Sequence, residues 1–157
     1  MILGSIAALR YFVNIFLYKN ETLGNTYRVQ DAQAAVSAVN QITARYQNIP
    51  VFVGGDFNTN PDGDPYRVLT SAGLTNVTRL TENKSTAMPY HGSYPYDNEF
   101  DLYEPAAGAA AGTISGSIDH IMTLANGATI LQYRVLNDAL SATVSDHCPH
   151  FADVKLP

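Results

Sequence analysis

Apolar and polar positions along the chain change period several times, and each change marks an element. Residues 9–17 (LRYFVNIFL) are dense in aromatic and β-branched side chains and predict a strand. Residues 18–25 are polar and turn the chain. Between 27 and 46 the apolar positions Val29, Ala32, Val36, Val39 and Ile42 recur at three- and four-residue steps, with Arg28, Asp31, Ser37, Asn40 and Gln41 among them. That period predicts an amphipathic helix laid on a core. Residues 49–53 are nearly all apolar and few in number, the pattern of a strand buried on both faces.

A polar loop follows, after which Pro65 suits the first turn of a short helix over 66–72 that Gly73 ends. Residues 75–117 give no clear period. They hold Pro89, Pro95, Pro105 and the run AAGAAAG, which predicts surface loop. Residues 118–124, 129–136 and 151–156 return to strand patterning, with Leu131, Tyr133 and Val135, then Ala152, Val154 and Leu156, expected on the inward faces. Strand, helix, strand, helix and three more strands predict an α/β (α+β) layered sandwich in one domain.

Composition changes this picture only at its edges. The chain has 157 residues, 46% hydrophobic and 15% charged, and no apolar run near the roughly 18 residues of a membrane span. A soluble protein is expected. The opening MILGSIAALRYFV lacks a basic start and is interrupted by Arg10, so a strand is favoured over a signal peptide. A net charge of -5 with no Lys/Arg cluster argues against a partner held on a long basic surface, though not against a small site gripping one phosphate. Cys148 is the sole cysteine, which excludes an internal disulfide and leaves the compartment open.

Candidate chemistry begins in VFVGGDFNTNPDGD, where a buried strand ends in two glycines and then Asp56, Asn58, Asn60, Asp62 and Asp64. A plain turn is one reading of such residues. An EF-hand calcium loop is another, but Pro61 stands where its glycine belongs and Arg67 where its bidentate Glu belongs. The third is a catalytic loop, since the carboxyl end of a buried strand opens into the crevice where α/β folds place ligands. Two further segments strengthen it. GSIDHIM places Asp119 in an apolar strand, where a carboxylate is costly unless paired. SDHCPH places Asp146 and His147 before the last strand, adding a metal-ligand carboxylate and an imidazole that Asp119 is able to orient. His147, Cys148 and His150 are too crowded in sequence for one tetrahedral zinc site.

GGDFN, SIDHI and SDHCP, in this order, resemble the endonuclease/exonuclease/phosphatase superfamily, the deoxyribonuclease I-like group that includes sphingomyelinases, inositol-phosphate phosphatases and abasic-site endonucleases. RVQDAQAAV, PYRVLTSAGLTNV and Tyr90-His91-Gly92 are similar to the family as well, so the resemblance runs from about Leu9 to Leu156. It implies a four-layer α/β/β/α fold and hydrolysis of a phosphoester with Mg or Mn. Asp56 would orient or deprotonate the attacking water, and Asn58 would hold the phosphate. Asp119 would orient His147, which would stabilise charge on the phosphoryl oxygens or act as base, and Asp146 would lie beside the metal. The substrate class is left open among nucleic acid, lipid head group and sugar phosphate.

Two departures from the pattern qualify what the resemblance implies. Residues 1–157 correspond to a single partial domain, the C-terminal half. By the resemblance, the family's amino-terminal half, with its principal metal-ligand Glu, is expected to have no counterpart here. The family's Asn-Thr-His-Leu strand is matched by Asn14-Ile-Phe-Leu17, so Phe16 replaces a histidine and supplies neither hydrogen bond nor charge. The expectation is therefore a fragment with weak or no activity of its own and weak Mg binding, completed by the missing half or a partner chain. The alternative is a non-catalytic remnant that serves as a binding or interaction module. A calcineurin-like phosphatase also uses a Gly-Asp step, but its Gly-Asn-His signature is absent.

Overall fold

The computed structural model describes residues 23–61, 63–84, 118–136 and 147–157, together with the backbone of 11–13. Phe16, Asp62, Tyr90-His91-Gly92, the run AAGAAAG and Asp146, all singled out above, lie outside the described residues. The elements in chain order are β1 (Tyr11–Val13), α1 (Leu23–Arg45), β2 (Val51–Asp56), α2 (Asp64–Ser71), β3 (Thr75–Asn76), a 3₁₀ turn (Val77–Arg79), β4 (Asp119–Leu124), β5 (Thr129–Val135) and β6 (His150–Lys155). The helix pattern between 27 and 46 is met by a helix that starts four residues earlier. Leu23 and Tyr27 are exposed there, so the apolar stripe does not mark its first turn.

One sheet has the order β1-β2-β4-β3, and β5 and β6 form a second. β1 runs parallel to β2, while β2 and β4 are antiparallel with Val51 opposite Leu124 and Asp56 opposite Asp119. Alternate side chains leave the sheet in opposite directions. Val51, Val53 and Met122 therefore meet Ala32 and Val39 of α1 and Tyr66 and Leu69 of α2 in one core. Phe52, on the reverse face, packs with Ile130, Tyr133, Val135 and Cys148 in a second core toward the other sheet. Helices, sheet, sheet: the described residues form three layers. Each fully buried side chain of this size contributes roughly 1.5–3 kcal/mol.

α2 stops as its sequence predicts. Gly73 takes φ +90°, its N–H reaches Thr70 O at 3.0 Å, and Leu74 N–H reaches Leu69 O at 3.2 Å, the paired bonds of a glycine C-terminal cap. β5 departs from expectation. A register shift between Ile130 and Gln132 breaks the alternation, so Ile130 is buried at 4% exposure and Leu131, expected inward, is 50% exposed. Leu156, also expected inward, lies past the end of β6 and is exposed. An open apolar cavity of about 630 Å³ lies between the sheets, bounded by Phe52, Ile121, Phe151 and Val154. Among the described residues no helix is long and apolar enough to cross a membrane.

Candidate active site

The β2–β4 ladder ends where the chemistry begins. Asp56 closes β2 and Asp119 opens β4, directly opposite, so both carboxylates leave the sheet on the same face. Asp119 is thus at a strand end, not in the strand interior as its apolar neighbours suggested. Gly55 holds φ +148°, a conformation essentially reserved for glycine, which explains why the strand carries glycine immediately before Asp56. One further bond, from Phe57 N–H to Ile118 O at 2.9 Å, carries the register past the last strand residues. Phe57 is fully buried, so the loop that follows departs from a fixed point.

Asn58 takes φ +47°, which its short amide tolerates better than most side chains. Its backbone N–H donates to Asp56 Oδ1 at 2.8 Å and its amide Nδ2 donates to Asp56 Oδ2 at 3.0 Å. Carboxylate and amide are held as one unit. Burial is the main cause that raises the Asp56 pKa above its usual 3.8, and the charge of Asp119 adds to it; the Asn58 hydrogen bonds and His147 act against it. A carboxyl held in that direction is a better proton acceptor once ionised.

His147 Nδ1 lies 2.8 Å from Asp119 Oδ2, with the histidine side chain 27% exposed and the carboxylate 15% exposed. An ionised Asp119 accepts from Nδ1–H, which fixes the ring orientation and leaves Nε2 as the atom for chemistry. The segment bearing His147 is pinned by its neighbours: Cys148 is buried in the second core, and Leu136 N–H donates to Pro149 O at 2.8 Å. A cleft of about 320 Å³, lined by Gly55, Asp119, His147 and His150 among others, opens at this end of the sheet. Asp56, Asn58, Asp119 and His147 are therefore brought together. Asp64 is not: it binds Arg67 at 2.9 Å and Asn25 at 3.0 Å, while Asn60 is exposed in the loop beyond Asn58.

Three further polar residues lie nearby: the sequence placed Tyr133 on an inward face, offered His150 only to a zinc site, and gave His120 no part. Tyr133 OH lies 2.7 Å from His150 Nδ1, with burial and Asp119 pushing the Tyr133 pKa far up, so the phenol keeps its proton. His120, buried beneath the helices, places Nε2 2.7 Å from Thr59 O and Nδ1 3.3 Å from Asn76 Nδ2. The signal for His120 was present in SIDHI: alternation sends it to the opposite face from Asp119. Burial lowers its pKa below 6.5, against the opposing pull of Thr59 and Asp119.

That direction has a consequence for acid stability. Below pH about 6.5 the unfolded chain takes up a proton at position 120 before the folded chain does, so stability falls until the lower folded value is passed. The urea midpoint of the native protein is expected to drop more between pH 7 and pH 5 than that of His120→Gln, measured by circular dichroism. Equal drops would show that His120 contributes nothing to acid sensitivity.

A helix layer on a mixed sheet that faces a second sheet, with carboxylates and a histidine gathered at one end, defines a deoxyribonuclease I-like fold. The chain belongs to the endonuclease/exonuclease/phosphatase family, whose profile matches residues 4–147. Solved structures share the fold at low identity. An endonuclease/exonuclease/phosphatase family protein from Bacteroides thetaiotaomicron is 21% identical with a TM-score of 0.61, over 84% of this chain and 44% of that one. A mannosyl-6-phosphatase from the same organism is 23% identical with a TM-score of 0.60, over 83% of this chain and 46% of that one. The human Nocturnin catalytic domain, solved with a bound sulfate, is 19% identical with a TM-score of 0.53, over 88% and 44%. The chain thus spans a little under half the length of these structures. No curated protein matches it significantly.

Proposed function

We propose that this chain carries the water-activating and phosphate-binding part of a phosphoester hydrolase site. The observation that carries the reading is the opposition of Asp56 and Asp119 at one sheet end, with Asn58 folded onto the first and His147 onto the second. In this mechanism water attacks phosphorus while Asp56 takes its proton. The Asn58 amide holds a phosphoryl oxygen. The Asp119–His147 pair stabilises the charge that develops on the phosphoryl group, as phosphoryl transfer requires. The leaving oxygen departs with a proton from solvent or from His147.

The family generally uses divalent metal ions. Among the described residues no group of three or more His, Cys, Asp or Glu side chains comes together to hold one. Asp56 and Asp119 are each already engaged by a neighbour, by Asn58 and His147. The described donors do not fit a complete ion site, and no step above runs through a metal. Mg²⁺ is expected to bind weakly, because it keeps most of its waters and gains little from a single carboxylate ligand. A mannosyl-6-phosphatase among the structural neighbours makes a sugar phosphate one substrate to assay beside nucleotide and lipid-head-group esters.

The test is a titration of the ¹⁵N-labelled chain with inorganic phosphate, followed by amide shifts, and a parallel calorimetric titration with Mg²⁺. Phosphate is expected to move the resonances of Asn58, Asp119 and His147 first, and Mg²⁺ to bind with a Kd in the millimolar range or weaker. Shifts confined to another part of the surface would overturn the site. Tight stoichiometric Mg²⁺ binding would overturn the metal expectation.

A further inference from the structure

The four residues that make up the proposed site sit on three segments, Asp56 and Asn58 on one, Asp119 on another and His147 on a third, with no covalent reason to keep a fixed separation. Asp119 is in β4, and Asn58 is in the loop after β2. His120, the residue after Asp119, reaches that loop from the opposite face of the sheet through Thr59 O at 2.7 Å. Phe57 and Tyr66 flank its ring edge-on, with centroids 5.5 and 5.2 Å away, so the imidazole has no room to turn.

The tautomer of this ring is fixed by its neighbours. Asn76 Oδ1 accepts from Thr78 N–H at 3.0 Å and from Thr78 Oγ1–H at 2.8 Å. The other end of that amide must therefore be the NH₂ group, and it faces His120 Nδ1 at 3.3 Å. An NH₂ group only donates, so Nδ1 is an acceptor and the proton resides on Nε2. Nε2–H then donates to the Thr59 carbonyl. Thr78, Asn76, His120 and Thr59 form a one-way chain of hydrogen bonds, buried throughout.

We infer that His120 is a positioning residue that locks the Asn58 loop to β4, fixing the separation of the phosphate-holding amide from the Asp119–His147 pair. The inference rests on the proposed function for the role of Asn58 but not for the coupling itself. One β-strand step thus serves both halves of the site: Asp119 orients the imidazole on one face, and His120 anchors the loop on the other. A loop displaced by about 1 Å would lose much of its hold on a phosphoryl oxygen, because such contacts depend steeply on geometry.

The test compares His120→Gln, whose side-chain amide retains an N–H near the Nε2 position, with His120→Phe, which keeps the ring volume and loses the donor. The native chain is first expected to show the Nε2–H tautomer in long-range ¹H–¹⁵N spectra; the Nδ1–H tautomer would overturn the inference. His120→Phe is expected to speed amide hydrogen exchange at Asn58 and Thr59 and to weaken inorganic-phosphate binding about tenfold. His120→Gln is expected to stay within about twofold of native in both. Phosphate affinity that merely follows each variant's thermal stability, or loop exchange unchanged in His120→Phe, would leave a packing role only. If His120→Phe fails to fold, His120→Gln decides: native-like exchange at Asn58 and Thr59 supports the anchor, and faster exchange refutes it. If the native chain binds no phosphate near Asn58, the proposed function fails, while the exchange readout still judges the anchor.

Discussion

Replacing Asp56 with asparagine is expected to remove at least about a hundredfold of any phosphoester hydrolysis this site performs, and His147→Ala a comparable amount. The two effects come from different steps in one transition state. Asn at position 56 keeps the shape of the side chain but accepts no proton from water. Ala at position 147 removes the group that Asp119 holds at 2.8 Å. Residues that act as one unit lose rate non-additively, so the double variant is expected to fall little below the worse single one. An activated diester such as bis(4-nitrophenyl) phosphate makes slow rates readable. The acid limb of the native profile is expected above the usual carboxylate value of 3.8, because Asp56 must lose its proton to act and burial raises its pKa. The rate falls as pH drops through that raised value. A rate unmoved by either substitution would trace the hydrolysis to something other than this site.

The fold was readable from sequence wherever a local signal agreed with a global one. Gly73 ended α2 because a left-handed cap needs glycine, and the apolar steps from Ala32 to Ile42 lay where α1 meets the sheet. Leu131 misled because strand alternation assumes an unbroken register, and a bulge is a property of the pair of strands rather than of either one. The short β3 and the 3₁₀ turn at Val77–Arg79 gave no pattern because two- and three-residue elements are too brief to show a period. At the site, GGDFN, SIDHI and SDHCP supplied Asp56, Asn58, Asp119 and His147, which lie together at one end of the sheet. What they left unstated was the pairing of Asp56 with Asp119, which depends on antiparallel register between strands far apart in the chain. His120 was legible from strand alternation and was passed over. A histidine beside a candidate catalytic Asp reads as part of the same cluster, yet strand geometry puts it under the helices, bonded to the loop from behind.

The largest effect is expected from what surrounds these residues. The 157-residue chain by itself should cleave an activated phosphodiester with Mg²⁺ slowly or not at all, although Asp56, Asn58, Asp119 and His147 are already in place. The chain spans a little under half the length of its structural neighbours; the resemblance implies that the remainder would supply the principal metal-ligand Glu and that Phe16 would take the place of a second charge-stabilising histidine. Loss of one such donor costs about a hundredfold or more, and loss of the metal anchor removes the charge that the donor would assist. Phe16→His alone should therefore restore nothing measurable. Supplying the amino-terminal half of a family member, fused or in trans, should raise the rate by several powers of ten. It should also cover the partly exposed Ile121, Phe151 and Val154, which border the open cavity of about 630 Å³ between the sheets. Burial of that surface would be seen as a higher midpoint of thermal unfolding, independent of catalysis. Rapid hydrolysis by the bare chain, abolished by Asp56→Asn or His147→Ala, would show instead that the four residues suffice without the rest of the family's site.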